Sequence, residues 1–256
     1  MPELWARLQC AGKLRPFSAI APPMISFVIP AFNEERYLPA TLDRLFACAR
    51  AVGEPFEVIV ADDASTDRTA EIARSAGARV VSTQNRQIAA TRNAGAREAK
   101  GDILAFVDAD TLVSEAVLRA MIDAVRGGAV GGGARVTLDQ VSPLARLSLA
   151  AFVYFYHLSG YAGGCYVFAR RDVFEAIGGF DERYFATEEM WLSRALRARG
   201  KFVIVKEPVV SSGRKLRLYS RWEILAPTFR FFFRGGFAAF RRREGLGIWY
   251  EGRREA

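Results

Sequence analysis

Two aspartates separated by one alanine, Asp108 and Asp110, follow five apolar residues in the stretch GDILAFVDADTLV. In extended chain, residues i and i+2 project from one face, so the spacing predicts two carboxylates side by side at a strand end. Like charges this close repel unless one takes a proton or a cation lies between them. Oxygen donors of this kind suit a hard divalent cation, Mg²⁺ or Mn²⁺, shared with a phosphate. A local use is also open, with Asp110 starting a turn or joining Ser114 in capping the next helix. Three more clusters carry related chemistry: Asn33, Glu34 and Glu35 in PAFNEE, Asp62 and Asp63 in DDASTD, and Arg86 and Arg92 in NRQIAATRNAG. A nucleobase needs directional polar partners and a diphosphate needs cations, and these clusters supply both. Read singly, Ser65, Thr66 and Asp67 are good helix caps, and Glu34 or Glu35 favours a helix N-terminus.

The elements that would position these groups follow from hydrophobic spacing. Short apolar runs at 25–30, 56–61, 78–82 and 103–107 read as strands, and helical periodicity fills 37–52, 67–76, 87–99 and 114–126. Strand–helix alternation predicts an α/β fold with a parallel sheet covered on both faces, and ligands in such sheets bind outside the carboxyl ends of the strands. All four clusters fall there. After residue 127 the rhythm changes. A glycine-entered strand (129–139), an aromatic helix (143–157), a strand, short helix and turn, a helix (188–200) and a strand (201–205) are expected. There is no GxxxxGK[ST] and no GxGxxG, which removes a P-loop and a standard dinucleotide site.

Composition narrows the class. The 256 residues are 51% hydrophobic and 25% charged, enough for one large core. Three cysteines, an odd number without CxxC, argue against a disulfide framework or zinc and for a reducing cytoplasm. The single histidine, His157, follows an aromatic run and reads as a helix-end residue rather than a catalyst. No apolar run reaches the ~18 residues of a membrane span; the nearest, LSLAAFVYFY, is too short. Residues 1–23 lack a clean apolar leader pattern and end in Pro22-Pro23, so they are expected to be a dispensable extension.

The motifs FVIPAFNEE, VADDASTDRTAEIA, ATRNAGAREAKGDILAFVDAD, AIGGFDE and EEMWLSRALRARG stand in the order and spacing of family 2 glycosyltransferases. The chain resembles that family over 24 to about 213. The resemblance implies a GT-A (Rossmann-like) fold: an open twisted, mostly parallel sheet flanked by helices. The nucleotide-binding half would span 24–127 and the acceptor-binding half 128–213. It further implies an inverting transferase that moves one sugar from a nucleotide-diphospho-sugar. Carried over, Pro30, Ala31 and Glu34 line the nucleotide site. Asp63 with Asp62 contacts the base, and Arg92 lies near it. Asp108 reaches the ribose and the metal, and Asp110 is the main ligand of Mg²⁺ or Mn²⁺. Glu188 and Glu189 stand where the family has Glu-Asp, which makes Glu189 the general base. Glu in place of Asp, and Trp191 in place of a common second acid, depart from the pattern. Residues 218–222, LYSRW, keep Arg221 and Trp222 of a processive QxxRW motif but lack its glutamine, so single-sugar transfer is expected. A phosphohydrolase with a strand-end DxD is disfavoured because here DD precedes DxD. A non-catalytic nucleotide-sugar-binding or membrane-associated scaffold is the alternative.

Nearly all of the net +8 lies in residues 214–256, where eleven Lys/Arg face four Glu. Such a block points to an anionic partner. Phenylalanines 229, 231, 232, 233, 237 and 240 alternate with arginines in this basic, helical segment. One reading docks it on an anionic membrane surface beside a lipid-linked acceptor, peripheral on the inner face of the membrane, with Arg214 closing over the donor diphosphate. The other packs the phenylalanines on the catalytic domain. Nucleic acid is not expected, because no nucleic-acid fold signature accompanies the charge.

Overall fold

The computed structural model describes residues 22–139, 160–220, 222–223 and 240–250. The extension before residue 22, the helix expected over 143–157 with His157, Arg221, and Phe229 to Phe237 lie outside the described residues.

Eight strands form one sheet: β1 (Ile25–Ala31), β2 (Phe56–Asp63), β3 (Arg79–Thr83), β4 (Ile103–Val107), β5 (Thr111–Leu112), β6 (Ala129–Leu138), β7 (Tyr166–Arg170) and β8 (Lys201–Ser211). Their order is β3-β2-β1-β4-β7-β6-β8-β5. Helices α1 (Leu38–Val52), α2 (Thr69–Ser75), α3 (Ile88–Arg97), α4 (Glu115–Arg126), α5 (Arg171–Ala176), α6 (Glu188–Arg197), α7 (Arg214–Leu218) and α8 (Gly247–Tyr250) complete the described elements.

Period-two alternation divides the strands between two cores. Ile25, Phe27 and Ile29 of β1 and Ile103, Ala105 and Val107 of β4 face α1 and α4. Val28, Leu104 and Phe106 face the opposite way, toward α3, α5 and α6. This is the two-sided burial that continuous apolar strands predict. Ser114 caps α4 as its type suggests, its hydroxyl accepting from the Val117 amide at 3.3 Å. Pro30 is tolerated in a central strand because β1 pairs with β4 only as far as Val28, and Pro30 faces Ala61 of β2 alone.

The expected parallel sheet holds for β3, β2, β1 and β4. Beyond β4 it is mixed, with β7 antiparallel to both β4 and β6, β6 parallel to β8, and β5 antiparallel to β8. The glycine run of β6 has a packing cause. A Cβ on Gly132 would overlap the Val203 carbonyl and stand 2.5 Å from the Phe168 ring.

One local expectation is overturned. β4 stops at Val107, and the Asp108 carbonyl accepts from the Thr111 amide at 3.0 Å, so 108–111 is a turn and not further extended chain. The chain then reverses into β5, which pairs with Val210 and Ser211, and the Ser212 amide donates to the Asp110 carbonyl at 3.1 Å. The turn, not strand alternation, brings the two aspartates together and sets them beside the end of β8.

Candidate active site

The loops that follow β1, β2 and β3 are stitched to one another before any ligand is considered. The Asn33 amide donates to Ser65 Oγ (2.9 Å), Glu34 to Thr69 Oγ1 (2.7 Å) and Glu35 to Asp67 Oδ2 (3.1 Å), while Asn33 Oδ1 accepts from the Thr66 amide (2.7 Å). Ser65, Thr66 and Asp67 thus serve mainly as a clasp on NEE; Asp67 also accepts from the Thr69 amide at 2.9 Å, but the N-cap position of α2 is Arg68, which makes no side-chain cap. Asp63 Oδ1 accepts from Thr83 Oγ1 and from the Asn85 and Arg86 amides at 2.7–3.1 Å, which ties in the third loop. Asp62 is buried beside it, and its Oδ1 has no hydrogen-bond partner. Arg86 stacks over Phe32 with 3.8 Å to the ring centroid. Among the described residues, every non-glycine left-handed backbone lies on this ligand edge or at the start of α6: Asn33, Ala64, Arg86 and Thr187. Such strain is stored where the surrounding bonds over-determine the chain.

Two buried arginines hold the acids. Arg92 points one Nη to Glu188 Oε1 (2.8 Å) and the other to Asp108 Oδ1 (2.7 Å) and the Gly164 carbonyl (2.8 Å). Burial works against its charge, but Asp108, Glu188 and Glu189 outweigh it and hold the guanidinium protonated. Arg214 forms a fork on Glu34, with both Nη–Oε distances 2.7 Å, and its Nε lies 3.1 Å from Asp110 Oδ2. Its guanidinium also stands 4.8 Å from the centroid of the Tyr37 ring. Burial, with repulsion from Asp108 and Glu34, pushes the Asp110 carboxyl up to about 6, against the pull of Arg214 and Lys215.

Glu188 is therefore committed to Arg92, whereas Glu189 is half-buried and faces the side-chain-free position of Gly164: a Cβ there would stand 3.6 Å from Glu189 Oε2. The start of α6 is fixed by Ser193, whose hydroxyl donates to the Glu189 carbonyl (2.7 Å) and accepts from the Ala162 amide (3.2 Å). The loop before α6 is fixed from α3. Gln87 Nε2 donates to the Glu182 carbonyl (2.6 Å), and Asn93 exchanges hydrogen bonds with the Phe180 backbone at 2.9 Å. Trp191 is a packing residue. It stacks on Tyr184 with centroids 4.9 Å apart, and Arg194 and Arg241 lie over the two rings.

Gln87, Asn93 and Gly164 were not singled out by sequence reasoning. The signal for the first two was present. Helix α3 is rich in alanine and glycine and buried nearly throughout, so polar side chains in it need partners. Phe240 of the basic segment is buried with Leu246 against Tyr184 and Ala186, as the packing alternative expected of it.

Asp108 and Asp110 offer hard oxygen donors, and burial raises the Asp110 carboxyl although Arg214 and Lys215 pull it down. Among the described residues no group of three or more His, Cys, Asp or Glu converges as an all-protein cage. That pattern fits an ion of the Mg²⁺ or Mn²⁺ type, which takes one or two carboxylates and completes its shell with phosphate and water.

Comparisons with known proteins identify the fold and the family. The solved S. aureus TarS 1–349 in complex with UDP-GlcNAc superposes with a TM-score of 0.58 at 19% identity, covering 81% of this chain and 64% of that one. The mannosyltransferase PcManGT from Pyrobaculum calidifontis, solved with GDP-Man and Mn²⁺, gives 0.58 at 19% identity, covering 90% and 71%. The fold is thus the GT-A fold. In sequence, the chain is 37% identical over 93 residues to undecaprenyl-phosphate 4-deoxy-4-formamido-L-arabinose transferase of Pectobacterium carotovorum subsp. carotovorum (strain PC1), covering 34% of this chain and 28% of that protein. It is 32% identical over 143 residues to validoxylamine A glucosyltransferase of Streptomyces hygroscopicus subsp. limoneus, covering 50% and 31%. The chain therefore spans about three tenths of the length of these curated relatives. Among the described residues no helix is long and apolar enough to cross a membrane. The family profile described as Glycosyl transferase family 2 matches residues 26–178, more than half of the sequence, and the chain belongs to that family.

Proposed function

We propose that this chain transfers one sugar, with inversion, from a nucleotide-diphospho-sugar to a lipid-linked acceptor at a membrane surface. The observation that supports this reading is the Arg92 fork, which joins the Asp108 turn to Glu188, the neighbour of Glu189 in the chain. The catalytic domain in this reading is 24–213, with a nucleotide-binding half (24–127) and an acceptor-binding half (128–213). The extension 1–23 is dispensable, and the basic segment 214–256 serves as an accessory.

Pro30, Ala31, Asp62 and Asp63 form the nucleoside side, held in register by the clasp of the three loops. Glu34 acts indirectly, by anchoring Arg214 where it faces a diphosphate. Asp110 and Asp108 hold Mg²⁺ or Mn²⁺, which when bound supplies charge stabilisation to the departing nucleoside diphosphate. Glu189 takes the proton of an acceptor hydroxyl as that oxygen attacks the anomeric carbon from the face opposite the leaving group. Glu188 keeps Arg92 charged and in place. With a phosphate acceptor, whose oxygen is already ionised, no strong base is needed and Glu189 matters less. A relative named for undecaprenyl-phosphate supports the lipid acceptor. Trp222, about three-quarters exposed within the basic segment, supports peripheral contact with an anionic bilayer.

The test is release of UDP or GDP from a panel of nucleotide sugars, with Mn²⁺ and either short polyprenyl phosphates or simple alcohols as acceptor. Asp110→Ala should abolish Mn²⁺-dependent donor binding with the fold retained. Glu189→Gln should lower turnover on a hydroxyl acceptor by roughly 10²–10⁴ and leave donor affinity unchanged. Full turnover in EDTA, or by Glu189→Gln on an alcohol, would refute the respective role.

A further inference from the structure

The acceptor side of the site is held by a third apolar cluster, separate from the two that hold the sheet. Among the described residues it contains only the loop before and into α6 (Tyr184, Phe185, Ala186, Trp191) and the segment 240–250 (Phe240, Leu246, Tyr250). The contact is specific as well as apolar. The Phe185 amide donates to the Phe240 carbonyl at 2.8 Å, and Tyr219 Oη donates to the Gly247 carbonyl at 3.2 Å.

Tyr250 ends this segment. Its hydroxyl donates to the Phe185 carbonyl at 2.7 Å. That bond holds a carbonyl three residues before Glu188. Burial, with the nearby Glu188 charge, pushes the Tyr250 phenol up, so it stays protonated and donates.

We propose that Tyr250 is a positioning residue for the reaction: its hydroxyl holds the loop that presents Glu188 and Glu189 against the C-terminal segment. Three ties then hold that loop and the start of α6. Arg92 reaches Glu188, Gln87 reaches the Glu182 carbonyl, and Tyr250 reaches Phe185 from outside both elements. The first two belong to the catalytic domain; the third makes the geometry of Glu189 depend on the C-terminal segment. The inference rests on the reading of Glu189 as the base.

The experiment compares full-length Tyr250→Phe, Leu246→Ala and Glu189→Gln with the unmodified chain. Tyr250→Phe removes one oxygen and leaves the ring in its apolar cluster. Loss of its hydrogen bond should lower kcat by roughly fivefold to tenfold, with KM for the donor and the melting temperature nearly unchanged. Amide hydrogen exchange of residues 185–189 should speed up in the ligand-free protein by a similar factor. Leu246→Ala loosens the same segment through packing and should give the same exchange signature. Unchanged exchange at 185–189 in both variants, or a Tyr250→Phe kcat within twofold of the original while Glu189→Gln is slow, would overturn the positioning role. Near-normal turnover of Glu189→Gln with faster exchange in Tyr250→Phe would instead overturn the role of Glu189 and leave the tie itself standing.

Discussion

Replacing Arg92 by methionine tests the frame of the site most directly. The side chain is almost fully buried and has two acidic partners in unlike surroundings: the Glu188 side chain is 6% exposed and that of Asp108 34%. Methionine keeps most of the volume and removes the charge. Asp108 is released toward solvent and should contribute little, on the order of the 0–1 kcal/mol of a surface pair. Glu188 cannot follow it, and a buried charge left without its partner costs about 3–5 kcal/mol. The Gly164 carbonyl loses a donor as well, adding about 1 kcal/mol. A total of about 4–7 kcal/mol is a large share of the roughly 5–15 kcal/mol typical of a domain. Glu188→Gln in the Arg92→Met background should return about half of that loss, since it removes the orphan charge. Urea unfolding of the four proteins of the cycle measures both quantities. A loss under about 1 kcal/mol in Arg92→Met, or purely additive effects in the double variant, would refute the claim that the fork is what holds α3 to α6.

Two other outcomes follow from the packing. Gly132→Ala should lower stability by roughly 3 kcal/mol or more, because the new methyl meets the Val203 carbonyl and the Phe168 ring inside the sheet; chemical denaturation reads it, and a loss within 0.5 kcal/mol would show that β6 can shift. At the opposite edge of the sheet, burial acts to raise the Glu57 carboxyl, but hydrogen bonds from Ser26 and the Lys100 amide and the charge of Arg79 hold it below the ordinary carboxylate range. A depressed pKa stabilises the fold above the unfolded value, and that contribution is lost as pH falls through the folded one. Stability should therefore decline below about pH 4.5 and decline less steeply in Glu57→Gln; parallel acid limbs in the two proteins would exclude this source.

The strands of the first half were legible because both faces are buried, which leaves an apolar run with helix periods on either side. The ligand edge was legible for the same reason: charged residues had only the strand ends to occupy. The antiparallel entry of β7 was not, since its sequence, YVFAR, is apolar whichever way it runs. The end of β4 at Val107 was legible where the apolar run stops, and a turn at Asp110 was one of two readings of VDADT, which spacing alone did not decide. The partners of the acids were hidden by distance along the chain. Glu34 meets Arg214 across 180 residues and Arg92 meets Glu188 across 96, so no local pattern announces either pair. Arg92, which the resemblance puts near the nucleobase, contacts Asp108, Glu188 and the Gly164 carbonyl.

Those long-range pairs also explain how two aspartates coexist in a turn. Each is drawn toward its own arginine: Asp108 to Arg92 on the α6 side, and Asp110 to Arg214 at the end of β8. The two guanidiniums stay charged through different balances. Arg92 is surrounded by Asp108, Glu188 and Glu189, whereas Arg214 leans mainly on Glu34, whose two oxygens it takes at 2.7 Å, and gives Asp110 only its Nε at 3.1 Å. Burial raises the Asp110 carboxyl to about 6, with repulsion from Asp108 and Glu34 added and the pull of Arg214 and Lys215 opposing. A divalent charge beside it would relieve the repulsion from Asp108 and Glu34 more than it disturbs Arg214, whose anchor on Glu34 would remain. In the proposed metal site the buried Asp110 carboxylate would therefore gain most from a cation, with Asp108, paired to Arg92, beside it.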